Sequence, residues 1–196
     1  SFLNFFIASI LICIPLAFYY QNANLYLNDA GMNNAAGNMT FGQISEVGFM
    51  LLLPIFLKRF GLKTTLLVGM AAWVIRYLLF SYGDAGPGIW MLFVGILLHG
   101  ICYDFFFVSG QIYTDYKAGE KIKSSAQGLI TLATYGLGML IGFWLSGNIY
   151  NKYALAGGGH EWKMIWLIPA GIAFVVMVGF AVFFKNEKIV APLTKE

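Results

Sequence analysis

The sequence predicts an all-α transmembrane protein, a bundle of six helices. Of its 196 residues, 59% are hydrophobic and only 11% charged, against roughly 25% charged in soluble domains. Six apolar runs, at 2–20, 41–57, 64–82, 88–110, 124–149 and 162–184, are each near or above the roughly 17 residues that cross the hydrocarbon core as a helix. None shows the alternation of a barrel strand. With their polar ends included, the spans read 2–27, 41–57, 64–82, 88–115, 124–149 and 162–184, one bundle over 1–184 followed by a soluble tail at 185–196.

The positive residues orient these spans. Lys58, Arg59 and Lys63 follow the second, Lys117, Lys121 and Lys123 the fourth, and Lys185, Lys188 and Lys195 the sixth, nine of the twelve Lys and Arg residues. Lys152 and Lys163 lie on the other side, and Arg76 lies inside a span. An excess of positive charge marks the cytoplasmic side, so both ends of the segment are expected there and the tail is expected to be cytoplasmic. These basic residues sit in short turns and form no single patch, so nucleic acid is not an expected partner. The opening Ser-Phe-Leu-Asn has neither an initiator Met nor a basic n-region, which excludes a signal peptide and suggests a chain begun partway through a larger protein.

The first span keeps a helical pattern through Tyr19-Tyr20-Gln21-Asn22-Ala23-Asn24-Leu25-Tyr26, with no breaker before Gly31. Its outer third is polar and aromatic, unfavourable against lipid and suited to the wall of a water-filled cavity, with a helix end fraying into the outer headgroups as the alternative. Gln21 and Asn24, three residues apart, share one helical face. Cys13 here and Cys102 in the fourth span read as reduced thiols that pack as small hydrophobes. The loop at 27–38 carries Asn, Gly and Ala but no Lys or Arg, as an outer loop should. Asn38-Met39-Thr40 matches a glycosylation sequon, but Thr40 serves equally as the N-cap of the second span, and the cap is the reading taken.

The second span, within MTFGQISEVGFMLLLPIFLKRFGLK at 39–63, places Gln43 and Glu46 three apart near its outer end. A carboxylate inside a membrane span is costly and marks a functional site by default. A structural pairing with Arg76, or snorkelling to the outer interface, stands as the alternative for Glu46. Arg76 in the third span needs a partner as well. Asp104 of the fourth span and Glu46 are the candidates by depth, and a structural pair of Arg76 with Asp104 is preferred. The turn at 83–88 is a short outer hairpin rich in Gly.

In the fourth span His99, Tyr103 and Phe107 recur at spacings of four, an aromatic face for stacking plus a hydroxyl, although on composition alone a stripe of Phe in a membrane helix more often faces lipid or core; Asp104, Gln111 and Asp115 share a second, polar face. His99 reads as a hydrogen-bonded packing residue. The fifth span carries Gly138-x-x-x-Gly142, which predicts close packing against other helices. The sixth, with Pro169, is nearly featureless and expected to face lipid. No metal-ligand spacing, and no nucleophile with a base, accompanies Glu46, Asp104 and His99, so an enzyme is not expected and neither is a cofactor or metal.

Three runs carry a resemblance: Tyr20-Gln21 through Asn24, GQISEVGFMLLLPIFLKRFGLK, and HGICYDFFFVSGQIYTD. They resemble the nucleoside:proton symporter family, the bacterial nucleoside permeases of the major facilitator superfamily. The likeness covers nearly the whole chain as the C-terminal six-helix half of that fold. Each half of the fold is a pair of three-helix inverted repeats with substrate bound near the midplane. The resemblance implies nucleoside uptake by proton symport through alternating access, in the lipid bilayer of the inner membrane, with the proton as coupling ion. It implies that Gln21, Asn24, Gln43, Glu46, Tyr103 and Phe107 bind the nucleoside and that Glu46 is the candidate for proton coupling. The N-terminal six-helix half would be an obligatory partner. A sugar or oligosaccharide:proton symporter of the same superfamily, or a six-helix scaffold without transport, are the alternatives.

Overall fold

Pro15 and Pro54 both lie in helices that continue through them, and the breaks come at glycines. α1 runs over Phe2–Asp29 and ends where Gly31 takes φ +87°. α2 runs over Ala35–Tyr82 and is interrupted at Gly61, whose φ of 77° and ψ of 171° leave the helical region. α3 covers Ile89–Tyr103, a π-helical turn Asp104–Val108 follows, and α4 covers Ser109–Thr131 with a second break at Gly119. A π-helical segment Leu132–Gly138 leads into α5, Met139–Lys152, and after a tight turn α6 covers Trp162–Phe183. This computed structural model describes residues 2–185. Of the expected tail at 185–196, everything beyond Lys185, including Lys188 and Lys195, lies outside the described residues.

Among the described residues four helical runs, Phe2–Asp29, Ala35–Tyr82, Ile89–Lys152 and Trp162–Phe183, are long and apolar enough to cross a membrane. Gly61 falls in the basic turn expected between 57 and 64, and Gly119 in the one expected between 115 and 124, so each break divides a long run where the sequence placed a turn. A left-handed or extended φ above zero is open to glycine at little cost. α2 begins earlier than expected, and Thr40 is not its cap: Asn34, at φ 53°, caps the helix by accepting from the Gly37 N–H, and Thr40 Oγ1 donates to the Gly37 carbonyl one turn inside. Asn tolerates the left-handed region that this cap requires.

α2 packs chiefly on α3 and α6, and α1 on α5 and α6. The seam between α1 and α5 is as close as the G-x-x-x-G pattern predicts. A Cβ at Gly142 would lie 2.6 Å from Ala17 Cβ and 2.9 Å from the Ile14 carbonyl, and one at Gly138 would lie 2.7 Å from the Ile10 carbonyl. α6 departs from the reading of a lipid-facing helix. One of its faces is core, because Trp166 is fully buried and stacks on Tyr77 at 5.7 Å and 12°. Its other face, with Val175, Val182 and Phe183, is exposed and apolar like Leu3, Leu51, Ile55 and Leu140 elsewhere on the rim, which is the surface a bilayer requires. Cys13 and Cys102 are buried free thiols, as expected.

Candidate functional site

The first arm of α2 and α3 meet without side chains between them. A Cβ at Gly100 would sit 2.6–2.7 Å from the backbone of Ser45 and Glu46. Ser45 Oγ accepts from the Gly100 N–H at 3.0 Å and donates to the Gly42 carbonyl at 2.6 Å. This contact sets the register of α3 so that His99, the preceding residue, lies over Glu46.

A three-residue array results. His99 Nε2 stands 2.7 Å from Glu46 Oε1, and His99 Nδ1 stands 2.8 Å from Arg76 Nη1. The Tyr19 ring of α1 lies under both, 3.5 Å from the Arg76 guanidinium carbon and stacked on the imidazole at 5.4 Å. Arg76 is fully buried, His99 is 5% exposed, and the Glu46 side chain is 24% exposed. The array therefore runs from a buried cation to a carboxylate at the surface of the bundle. Nε and Nη2 of Arg76 have no hydrogen-bond partner among the described residues. The faces of Tyr19 and Phe80, the latter 5.7 Å away, surround the cation instead, and a ring face attracts a guanidinium.

The expected pair of Arg76 with Asp104 does not form. Asp104 is buried at the start of the π-helical turn with both carboxylate oxygens unpartnered among the described residues, and Arg76 meets the residue more than a turn earlier. The tight Gly100 contact decides this, since it turns His99 toward the second arm of α2. Nor do Asp104, Gln111 and Asp115 act as one polar seam. Gln127 donates to Asp115 Oδ1 and to the Gln111 carbonyl, and Lys123 reaches Asp115 at 3.1 Å, all near the Gly119 break.

The aromatic face is present. Tyr103 lies 6.1 Å from His99 and 5.3 Å from Phe107, ring to ring. Tyr103 is half-buried, while Phe107 is 8% exposed and rests on Trp73 at 5.6 Å, so most of the accessible ring surface belongs to Tyr103. Tyr135, in the second π-helical segment, adds to it: its hydroxyl is 3.0 Å from that of Tyr103. The amides make contacts of their own. Gln43 is exposed, and the end of its amide lies 2.8 Å from the Met39 carbonyl, an acceptor that suits the amide nitrogen at that place. Asn24 is exposed and accepts from Asn28, and Gln21 is half-buried and faces Gly147 of α5. Among the described residues no group of three His, Cys, Asp or Glu side chains is placed to hold a metal.

Sequence reasoning missed Tyr19, Ser45 and Tyr135, and it gave His99 only a packing role. A buried arginine needs an aromatic face and an acceptor as well as a counter-ion, and the Tyr19-Tyr20 pair just inside the polar third of α1 was the signal for the first.

Residues 1–189 match the family described as Nucleoside H+ symporter. The chain belongs to this family. It is 45% identical to YegT of Escherichia coli (strain K12) over 194 residues, covering 95% of this chain and 46% of YegT. It is 35% identical to the nucleoside permease NupG of the same organism over 155 residues, 79% of this chain and 37% of NupG. The crystal structure of the nucleoside transporter NupG matches with a TM-score of 0.83 at 32% identity, over 93% of this chain and 48% of that one. The symporter-family chain thus has the helical membrane-transporter fold of that structure and spans about half the length of the relatives it matches. Those relatives are transporters and permeases, not enzymes.

Proposed function

We propose that this chain forms the C-terminal six-span half of a proton-coupled nucleoside transporter in the inner membrane, built as two inverted three-helix repeats with both ends cytoplasmic. It works by alternating access against an N-terminal six-helix half that shares the substrate cavity. The observation that carries the reading is the Glu46 carboxylate, held at the bundle surface by His99 with a buried arginine behind it, in a chain of the symporter family. Ribose hydroxyls donate to Glu46, the amides of Gln21, Asn24 and Gln43 suit the edges of a base, and the stacked rings of Tyr103 and Phe107 offer a face to a base or sugar. Glu46 also takes up the coupled proton, a charge change that a carboxylate inside a membrane is suited to make.

The test is uptake of labelled uridine by cells lacking their own nucleoside transporters and expressing the intact gene product or its Glu46→Gln variant. Each is assayed with and without an inward proton gradient. Gradient-driven uptake that Glu46→Gln abolishes is the expected result. Sugar uptake in place of uridine uptake would sink the nucleoside assignment and leave the fold standing.

A further inference from the structure

Arginine carries five N–H donors and no acceptor. With Arg76 Nη1 2.8 Å from His99 Nδ1, that ring nitrogen is the acceptor, and an imidazole that accepts at Nδ1 carries its hydrogen on Nε2 and is neutral. Nε2 is the atom that faces Glu46 Oε1 at 2.7 Å, so it donates to the carboxylate. The second carboxylate oxygen, Oε2, has no partner among the described residues. Tyr19 stacks on the imidazole and lies beneath the guanidinium, so one ring holds both groups in place.

From this geometry we infer that His99 is a positioning residue, a non-titrating relay that Arg76 locks as the Nε2–H tautomer. It holds Oε1 of Glu46 inward and leaves Oε2 for the substrate hydroxyl and the coupled proton. The inference rests on the reading of Glu46 given under Proposed function and adds to it the residue that orients Glu46. The groups around the array are Tyr19 and Tyr20 from α1, Glu46 from the first arm of α2, Arg76 and Tyr77 from the second, Cys102 and Tyr103 from α3, and Asp104 from the π-helical turn. Phenols and a thiol are ordinarily neutral near pH 7, which leaves Arg76, Glu46 and Asp104 as the charge-bearing groups. An imidazolium would lose its acceptor and set a second cation against Arg76. The proton therefore belongs on the carboxylate.

The relay is testable because glutamine reproduces it without a titrating group, its carbonyl accepting from Arg76 and its amide nitrogen donating to Glu46. In the intact transporter, His99→Gln is expected to keep gradient-driven uridine uptake. His99→Phe is expected to raise KM about tenfold, the worth of one hydrogen bond to a charged group. It should also move the midpoint of the pH profile upward by about one unit, because loss of a donor to the carboxylate favours its protonated form. A His99→Gln protein that carries uridine but no longer responds to the gradient would show that the imidazole itself carries the proton, and would overturn the proposal. A His99→Phe protein with the KM and pH profile of the wild type would overturn it as well.

The tautomer can also be read with no transport assay, from the 15N spectrum of the histidine-labelled intact protein. The His99 signals are assigned by difference from His99→Gln or by ring contact with Tyr19. One bare and one protonated nitrogen throughout about pH 5 to about pH 8 is expected; an imidazolium in that range would reject the relay. Failure of the nucleoside reading would appear separately, as absent uridine uptake by the wild type.

Discussion

At the α1–α5 interface Gly138 and Gly142 bring two backbones together with no acid, base or histidine between them, and Asn22 Nδ2 donates to Ser146 Oγ at 2.8 Å as a buried polar link. At the interface of α3 with the first arm of α2, Gly100 makes an equally close approach, but beside it lie a histidine, a carboxylate and, from the second arm, a fully buried arginine. Both seams use the absence of a Cβ to bring helices close where lipid supplies no hydrophobic drive between them. The first keeps its polar groups, Asn22 and Ser146, fully buried. The second is ordered in depth, with its cation inside and its carboxylate at the surface, so that close packing there holds a chemical group in a fixed direction. A close helix contact thus reads as a scaffold when its polar groups are buried within the seam, and as a site when one of them is left facing outward.

The sharpest way to break that contrast is Arg76→Met. Removing one member of a buried charged array typically costs about 3 kcal/mol or more. A large fall in the thermal unfolding temperature of the purified transporter is expected, together with loss of uptake. Gly142→Leu comes next. Its Cβ would meet Ala17 and the Ile14 backbone, which cannot swing aside, and overpacking of this kind costs about 1–3 kcal/mol. The expected result is reduced thermal stability, with a smaller change in the substrate affinity of the surviving protein, because Gln21, the proposed ligand group on this seam, faces Gly147 and not Gly142.

Ser146→Ala should be milder. Interhelical hydrogen bonds in membranes average about 0.6 kcal/mol, and a small downward shift in the same unfolding measurement, with normal uptake kinetics, is the expected outcome. The smallest stability effect belongs to Tyr135→Phe, which removes an exposed hydroxyl contact to Tyr103. Its effect should appear in the KM for uridine with the unfolding temperature unmoved. A Tyr135→Phe protein that loses stability and keeps its KM would move that contact from the site to the scaffold.

Much of the scaffold was legible in the sequence. Hydrophobic length announced long apolar helices and the spacing of Gly138 and Gly142 a close seam, while Gly61 and Gly119, where the longest runs leave helical geometry, fall among the basic residues. The site was legible in part. Glu46 stood out because a carboxylate is expensive in lipid, and Tyr103 with Phe107 stood out by their spacing. The pairing of Arg76 was misjudged because depth along a helix was the only guide. Depth named Asp104 and Glu46 as candidates and passed over His99, which lies little more than a turn before Asp104 on the opposite side of the helix. The sixth span looked uniform because a buried tryptophan and a lipid-facing one have the same composition.

Composition and periodicity by themselves determined that this chain is helical and suited to cross a membrane, where it turns, and which residues are too polar to stand in lipid without a purpose. Those are properties of single segments in an apolar solvent, and the sequence contains all of that information. Only the tertiary structure decided that Arg76 meets His99, that Tyr19 lies under both, and that Glu46 is the member left at the surface. These are relations between helices, set by the rotation and register that Gly100 imposes against Ser45 and Glu46, and a shift of one residue in that contact would put a different side chain in each place.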